Sequence, residues 1–183
     1  MGRFMNHKKW VVVMALIATA LILTHLPVSE ADAAASASDF QIEGSTLTKY
    51  RGSDERVTIP DTVEVVGESA FENNQKVQLV VVPKSVKRMD AYVFWGCDNL
   101  EEVVLGKGLT SVDEYAFSGC TGLKQITIPE NVQSIDAQAF AGCTNLTDIY
   151  IPDTVTSIAD DAFLNCDNVT IHADEGSVAE KFA

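Results

Sequence analysis

The chain has 183 residues, with 26 Asp or Glu against 13 Lys or Arg and a net charge of −13 at pH 7. This length allows one domain with flanking segments. So acidic a chain repels nucleic acid and anionic lipid, which excludes a nucleic-acid-binding role and leaves cationic or calcium-bridged partners open. The simplest interpretation of the charge is a solvated acidic surface on a secreted protein.

Residues 1–33 are predicted to be a secretory signal peptide. A basic lead that ends at Lys9 precedes an apolar run over 10–26, and Ala31-Asp32-Ala33 fits the A-x-A cleavage pattern. The apolar run is about 17 residues long, near the lower limit for crossing a bilayer, so an uncleaved N-terminal anchor is the alternative. That segment is the one predicted route to a membrane. Small residues at 34–38 then form a linker.

Beyond the linker, one residue type recurs at a fixed interval of 23 residues, without an insertion or deletion. The five members of this column are Phe71, Phe94, Phe117, Phe140 and Phe163. An aliphatic column keeps the same register at Ile59, Val82, Leu105, Ile128 and Ile151. A fixed period of 20–50 residues indicates a solenoid, in which each unit buries its apolar side chains against its neighbours.

One unit illustrates the predicted coil. Val103 to Leu105 alternate apolar side chains in the manner of a short strand, and Gly106-Lys107-Gly108 forms a turn. In the other four units a proline opens this turn and ends the strand, at Pro60, Pro83, Pro129 and Pro152. Tyr115-Ala116-Phe117 is predicted to begin a short helical turn that ends at Gly119.

The sequence therefore predicts an α/β repeat fold, a right-handed stack of five 23-residue coils, each with a short parallel strand and a short helical turn. The solenoid is expected over 57–173, between an N-terminal cap of two strands at 39–56 and a C-terminal cap helix at 174–183. Ser177 and Glu180 fit a capping box at the start of that helix, and Phe182 is expected to cover the final coil.

Four cysteines occupy one column of the repeat, at Cys97, Cys120, Cys143 and Cys166. A row with strand spacing cannot surround one metal ion, and parallel side chains do not point at each other for disulfide formation. We predict buried free thiols that act as small core residues. His172 is the sole histidine after residue 33, and no serine or cysteine pairs with it by spacing. We therefore expect no enzyme activity, no metal and no cofactor.

The phrase Ile128-Pro129-x-x-Val132-x-x-Ile135-x-x-x-Ala139-Phe140-x-x-Cys143-x-x-Leu146 and its copies resemble the BspA-like leucine-rich repeat of bacterial surface proteins. The segments 47–50 and 176–183 resemble the caps of such arrays. The resemblance spans residues 40–183. It implies a leucine-rich-repeat solenoid in a secreted or surface-attached protein, some relatives of which bind host proteins or mediate adhesion. It implies no enzyme activity and no particular binding residues.

Outward positions on successive strands form a candidate protein-binding face: Thr58, Val81, Val104, Thr127 and Tyr150, continued by Thr170 or His172. In curved repeat proteins the strand face is the usual binding surface. The alternative is that β-branched residues simply suit exposed strands.

These observations predict a secreted or cell-surface, non-enzymatic module that binds or adheres to a protein. The alternative is a structural spacer or envelope component without a specific ligand. Carbohydrate recognition ranks below both, because Trp95 and the tyrosines are scattered in the sequence. The identity of the protein partner and the oligomeric state are open.

Overall fold

A computed structural model describes residues 10–13 and 35–183. Apart from the strand β1 (Trp10–Val13), the predicted signal peptide at 1–33 lies outside the described residues. β1 lies parallel to the last strand of the solenoid, with Trp10 opposite Thr170 and Val13 opposite Ala173. The chain then enters the solenoid through a single 3-10 turn at Ala37–Asp39, which Ser36 caps.

Each coil contributes one strand to each of two parallel ladders. The first ladder has a buried residue at the centre of each three-residue strand, flanked by outward residues. Its strands are β4 (Arg56–Thr58), β6 (Leu79–Val81), β8 (Glu102–Val104), β10 (Gln125–Thr127), β12 (Asp148–Tyr150) and β14 (Thr170–Ala173). Proline, with its fixed φ and missing N–H group, follows four of these strands closely and limits their length.

The second ladder consists of two-residue strands, except at its N-terminal end. Its strands are β3 (Thr46–Tyr50), β5 (Val65–Val66), β7 (Arg88–Met89), β9 (Ser111–Val112), β11 (Ser134–Ile135) and β13 (Ser157–Ile158). β2 (Phe40–Glu43) pairs with β3 as an antiparallel hairpin, which lies within the cap predicted at 39–56. β3 also pairs in parallel with β5 and so begins the ladder.

The predicted number of five coils is too low: the solenoid has about six turns, and residues 46–173 contribute six strands to each ladder. The phenylalanine column counts five because it misses the strands at the two ends. β3 belongs to the N-terminal hairpin and also begins the second ladder, while β14 ends the first ladder without a phenylalanine of its own.

The predicted helical turn in each coil is also wrong, because this third side of the coil consists of consecutive tight turns. Tyr92 and Gly96 flank Phe94 with positive φ angles of 60° and 67°, which interrupt any α-helical path. The amide of Phe94 donates to the carbonyl of Ala116 in the next coil (2.8 Å), and that of Gly96 donates to Ser118 (2.9 Å). Amides that bond to the next coil cannot close α-helical hydrogen bonds. The fold is consequently a mostly β solenoid with little helix.

A continuous column of aromatic rings fills the interior. Consecutive ring centroids in the central part, from Phe71 to Phe163, are separated by 5.1 to 5.3 Å, close to the spacing of hydrogen-bonded strands. Phe40 and Tyr50 of the hairpin extend the column at one end, and Phe182 extends it at the other. The caps therefore continue the same packing that joins the coils.

Phe182 belongs to the helix α1 (Val178–Phe182), which covers the last coil as expected. The Ser177 hydroxyl accepts a hydrogen bond from the Glu180 amide at 3.1 Å, and the Glu180 carboxylate accepts one from the Gly176 amide at 2.5 Å. These bonds satisfy amides near the start of the helix, as the Ser-x-x-Glu pattern predicts.

The four cysteines are free and buried, as predicted. The sulfur of each donates to a phenylalanine carbonyl 26 residues earlier, for example Cys120 Sγ to Phe94 O at 3.1 Å. Burial raises the pKa of Cys97 to about 12 and that of Cys120 well above its usual value. The thiols thus fill space and bond to the preceding coil, and Cys97 and Cys120 stay protonated at neutral pH.

Both ladders are interrupted at coil 3, the coil that carries Phe117. Its first strand, β8, pairs with β6 of the preceding coil but makes no ladder with β10, and its second strand, β9, pairs with β11 but not with β7. Coil 3 therefore pairs with coil 2 through its first strand and with coil 4 through its second strand. The turn that joins those strands contains Gly106 and Gly108.

The two glycines explain why this turn lies close to the preceding coil. A Cβ atom at Gly106 would overlap the carbonyl oxygens of Val82 and Pro83, and one at Gly108 would overlap those of Lys84 and Val86. The other coils carry proline where coil 3 has Gly106. Glycine thus permits a close approach of this turn to coil 2.

The aromatic column predicts a large cost for removing one central ring. Phe117→Ala should lower the free energy of unfolding by about 3–5 kcal/mol, because the ring is fully buried between two neighbouring rings and leaves a cavity. Trp95→Ala is the control, since Trp95 is 39% exposed and should change stability by less than about 1 kcal/mol. Denaturant unfolding measures both. Equal losses in the two variants would contradict the packing account.

Burial of the thiols predicts that they resist alkylation in the folded protein. With a thiol reagent at mildly alkaline pH, modification of Cys97, Cys120, Cys143 and Cys166 should be far slower than in the denatured chain, because burial both blocks access and raises the thiol pKa. Mass spectrometry counts the modified sites. Rapid modification of any of them without unfolding would show that the core is open there.

Candidate interaction surface

The five outward residues predicted from the sequence do form one column on the first ladder. Thr58 and Val81 are opposite each other in register, as are Val81 and Val104, and Thr127 and Tyr150. Each is exposed or half-buried, while its strand neighbours toward the core are buried. Alternation along the strands therefore directs all five side chains to one face.

His172, and not Thr170, continues this column at the C-terminal end. It lies opposite Tyr150 in the ladder, and the two rings stack with centroids 4.3 Å apart and an angle of 11° between their planes. The Asp148 carboxylate accepts a hydrogen bond from His172 Nε2 at 2.7 Å, and this bond lowers the pKa of Asp148. The contacts fix the tyrosine and histidine rings as one flat patch.

His172 also carries a polar atom that the hydrogen-bond network leaves unused. Within the described part of the chain, Nδ1 is buried and has no hydrogen-bond partner. Sequence reasoning offered His172 or Thr170 as the end of the column, but it did not predict the contact with Asp148, which joins residues 24 positions apart. The 23-residue period could not have placed it in the column, because applied to Tyr150 it leads to Ala173, whereas the strand pairing puts His172, 22 residues on, opposite Tyr150.

The interruption of the first ladder divides the column between Val104 and Thr127. Elsewhere the amide after the outward residue bonds to the next coil: Val82 N donates to Val104 O, and Ile128 N donates to Tyr150 O, both at 2.9 Å. In residues 35–183 no corresponding bond joins Leu105 N to Thr127 O. Two strands that lie side by side thus keep backbone groups without a ladder partner.

A groove follows the interruption, and we call it the seam groove. Its volume is about 410 Å³. The residues that form its apolar part are Val104, Leu105, Ile126, Ile128 and Pro129, with Thr127 between them. Glu102, Glu130 and Lys107 lie along its rim. The groove thus brings together two of the five predicted residues, Val104 and Thr127.

A shallower depression continues from the seam groove toward the C-terminal end. It shares Thr127, Ile128 and Glu130 with the groove and reaches Tyr150 and His172. The predicted residues Thr58 and Val81 line neither depression. The half of the face from coil 3 onward is therefore concave, and the N-terminal half lacks these depressions.

We call the interruption of the first ladder between β8 and β10 the seam. Side-chain contacts bridge it in place of the missing ladder bonds. Lys124 Nζ lies 2.8 Å from Glu101 Oε2, and Asn131 Nδ2 donates to Lys107 O at 2.6 Å. Lys107 Nζ lies 3.9 Å from Glu130 Oε2 in a pair that is largely exposed. Exposed ion pairs of this kind contribute little to stability, so the seam is held less firmly than the laddered coils.

The seam groove and the depression beside it present apolar, aromatic and charged side chains. Within residues 35–183, no group of three His, Cys, Asp or Glu side chains is arranged to hold a metal ion. On another side of the coil, Tyr92 and Tyr115 stack on each other with centroids 4.8 Å apart. Among the described residues, no helix has the length and apolar content that a membrane crossing requires.

Three solved structures show the same architecture. A leucine rich cell surface protein from Faecalibacterium prausnitzii is 33% identical with a TM-score of 0.70, and the match covers 74% of this chain and 36% of that one. A leucine-rich repeat protein from Bacteroides ovatus is 30% identical (TM-score 0.62), over 70% of this chain and 36% of that one. The leucine rich repeat protein of T. pallidum, at 24% identity and a TM-score of 0.69, is similar in fold over 77% of this chain and 82% of that one.

The chain thus corresponds to about a third of the length of the F. prausnitzii and B. ovatus proteins. The comparison with curated proteins gives no match. The family model of the BspA type leucine rich repeat region matches residues 45–170 in six copies, which agrees with the six strands of each ladder. The 23-residue register, the two ladders and this match lead to one conclusion: the chain belongs to the BspA-type leucine-rich repeat family.

Proposed function

We propose that the chain is a non-enzymatic protein-binding module that acts outside the cell or at its surface, with the strand face as its contact surface. The observation that carries the proposal is the single outward column that runs through Val104 and Thr127 to Tyr150 and is concave in its C-terminal half. Rigid concave faces that combine apolar and polar side chains are typical binding surfaces of repeat proteins.

The rest of the molecule supports this assignment by elimination. The residues that recur in the repeat are buried in the core, including the phenylalanines and the cysteines. Side chains that are available to a partner are consequently those at the outward positions. An aromatic patch such as Tyr150 and His172 can contribute much to a protein interface at a small cost in conformational entropy.

Location outside the cell rests on two further arguments. The segment at 1–33 has the layout of a secretory signal peptide, and the similar F. prausnitzii protein is described as a cell surface protein. Adhesion to a host or neighbouring protein is the form of binding that we propose. The other function to be tested is that of a spacer without a specific ligand.

A triple substitution of the face separates binding from the spacer role. Val81→Lys, Val104→Lys and Tyr150→Lys together should abolish capture of a partner from host or bacterial surface extracts, because three ammonium groups replace the apolar contacts. Since the three side chains point outward, thermal unfolding should change little. Gln133→Lys, at an exposed position outside this face, is the control for added charge.

The same experiment can reject the proposal. If the triple variant and Gln133→Lys capture every partner as well as the unmodified protein does, the strand face is not the contact surface. If the unmodified protein captures no partner from any extract, the spacer function is favoured.

A further inference from the structure

We propose that the seam groove is the anchoring site of the strand face and that it takes an extended, cationic segment of a protein partner. One apolar side chain of the segment enters the groove, and flanking Lys or Arg side chains contact the acidic rim. This inference rests on the proposed function and specifies which part of the face binds and what chemistry it selects.

The first argument concerns the backbone. Where the ladder is intact, the amide after each outward residue donates a hydrogen bond to the next coil. Val82 N donates to Val104 O, and Ile151 N donates to His172 O. At the seam, within residues 35–183, Leu105 N and Thr127 O lack this bond. Strand edges with unpaired N–H and C=O groups are recognised by extended polypeptide, which offers the complementary groups at matching intervals.

The second argument concerns the turn of coil 3 that borders the seam groove. Gly106 and Gly108 allow the turn of coil 3 to pack on the carbonyls of coil 2, where any larger residue would overlap backbone atoms. Close packing of backbone on coil 2 therefore holds the wall of the groove that coil 3 forms. A groove with a rigid wall loses little entropy when a ligand enters.

The third argument concerns size and polarity. The groove has a volume of about 410 Å³ and an apolar floor that includes Val104, Leu105 and Ile128. A volume of this order suits one or two large aliphatic or aromatic side chains. Its outward side is open, so the neighbouring residues of a bound segment can remain outside it.

The fourth argument concerns charge. Glu102 and Glu130 line the groove, Asp174 lines the adjoining depression, and Lys107 is the single lysine of these two linings. The chain as a whole carries a net charge of −13. A cationic segment is therefore attracted to this end of the face, whereas acidic polypeptide and nucleic acid are repelled.

Three synthetic peptides test the assignment on the full chain. The sequence Lys-Ile-Lys-Phe-Lys-Ile-Lys combines both required features, Lys-Ser-Lys-Ser-Lys-Ser-Lys retains the charge alone, and Glu-Ile-Glu-Phe-Glu-Ile-Glu retains the apolar residues with the opposite charge. Fluorescence anisotropy measures affinity, and amide chemical shifts locate the contact. We expect the first peptide to bind with a Kd on the order of 0.1–1 mM, with shift changes centred on Leu105, Thr127 and Ile128.

Val104 and Val81 offer a matched pair of variants, since they occupy the same outward position in adjacent coils and Val104 alone lines the groove. Val104→Lys should weaken binding of the first peptide by about tenfold or more, and Val81→Lys by less than about twofold. Glu102→Gln combined with Glu130→Gln should also weaken it and should reduce the dependence of binding on salt.

Equal binding of the first two peptides, equal binding of the first and third peptides, or equal losses in Val104→Lys and Val81→Lys would each overturn the inference. So would the absence of measurable binding, or shift changes that avoid the seam groove. The proposed function has its own test in the triple variant. Capture of a partner that Val81→Lys abolishes and Val104→Lys leaves intact would keep the binding function and reject the groove as its anchor.

Discussion

The structure depends on the coincidence of two spacings. Hydrogen-bonded strands lie about 4.8 Å apart, and aromatic rings pack favourably at nearly the same distance. Each coil of 23 residues brings the chain back to the same side of the solenoid, one strand spacing further along its axis. Each phenylalanine ring therefore packs on the previous one, with centroids 5.1 to 5.3 Å apart. An insertion within a coil would displace a ring from this column, and the sequence contains none between Phe71 and Phe163.

This constraint determines which residue positions are available for function. Positions that recur within the coil are committed to the core, and the cysteine thiols illustrate this because each bonds to a phenylalanine carbonyl of the preceding coil. Variation is permitted on the outward positions of the strands and in the turns. The turn of coil 3 differs from the others by the two glycines, and the two ladders are interrupted beside it.

Sequence periodicity predicted the buried columns and the outward column, because period and burial are directly connected. It did not predict the conformation of the third side. Tyr92 and Tyr115 adopt positive φ angles, which tyrosine rarely does, and no sequence signal marks this choice. The N-terminal ladder strand was also missed, since β3 lacks a member of the phenylalanine column and its ladder role follows from pairing with β5.

The candidate site, too, was predictable from the sequence only in part. Alternation along the strands was sufficient to identify Val104 and Thr127 as outward residues. The replacement of proline by Gly106 is visible in the sequence, but the close approach of Gly106 to the carbonyl of Pro83 is a property of the packed coils. The signal peptide at 1–33 remains a prediction from composition and order.

The central claim is that the first ladder is continuous except at the seam, where backbone groups are left for a partner. Amide hydrogen exchange in the free protein tests it directly. The Leu105 amide should exchange at least about tenfold faster than the equivalent amides of Val82 and Ile128, which donate to the next coil at 2.9 Å. Equal protection of all three amides would show that the ladder is closed at coil 3 and would contradict the account.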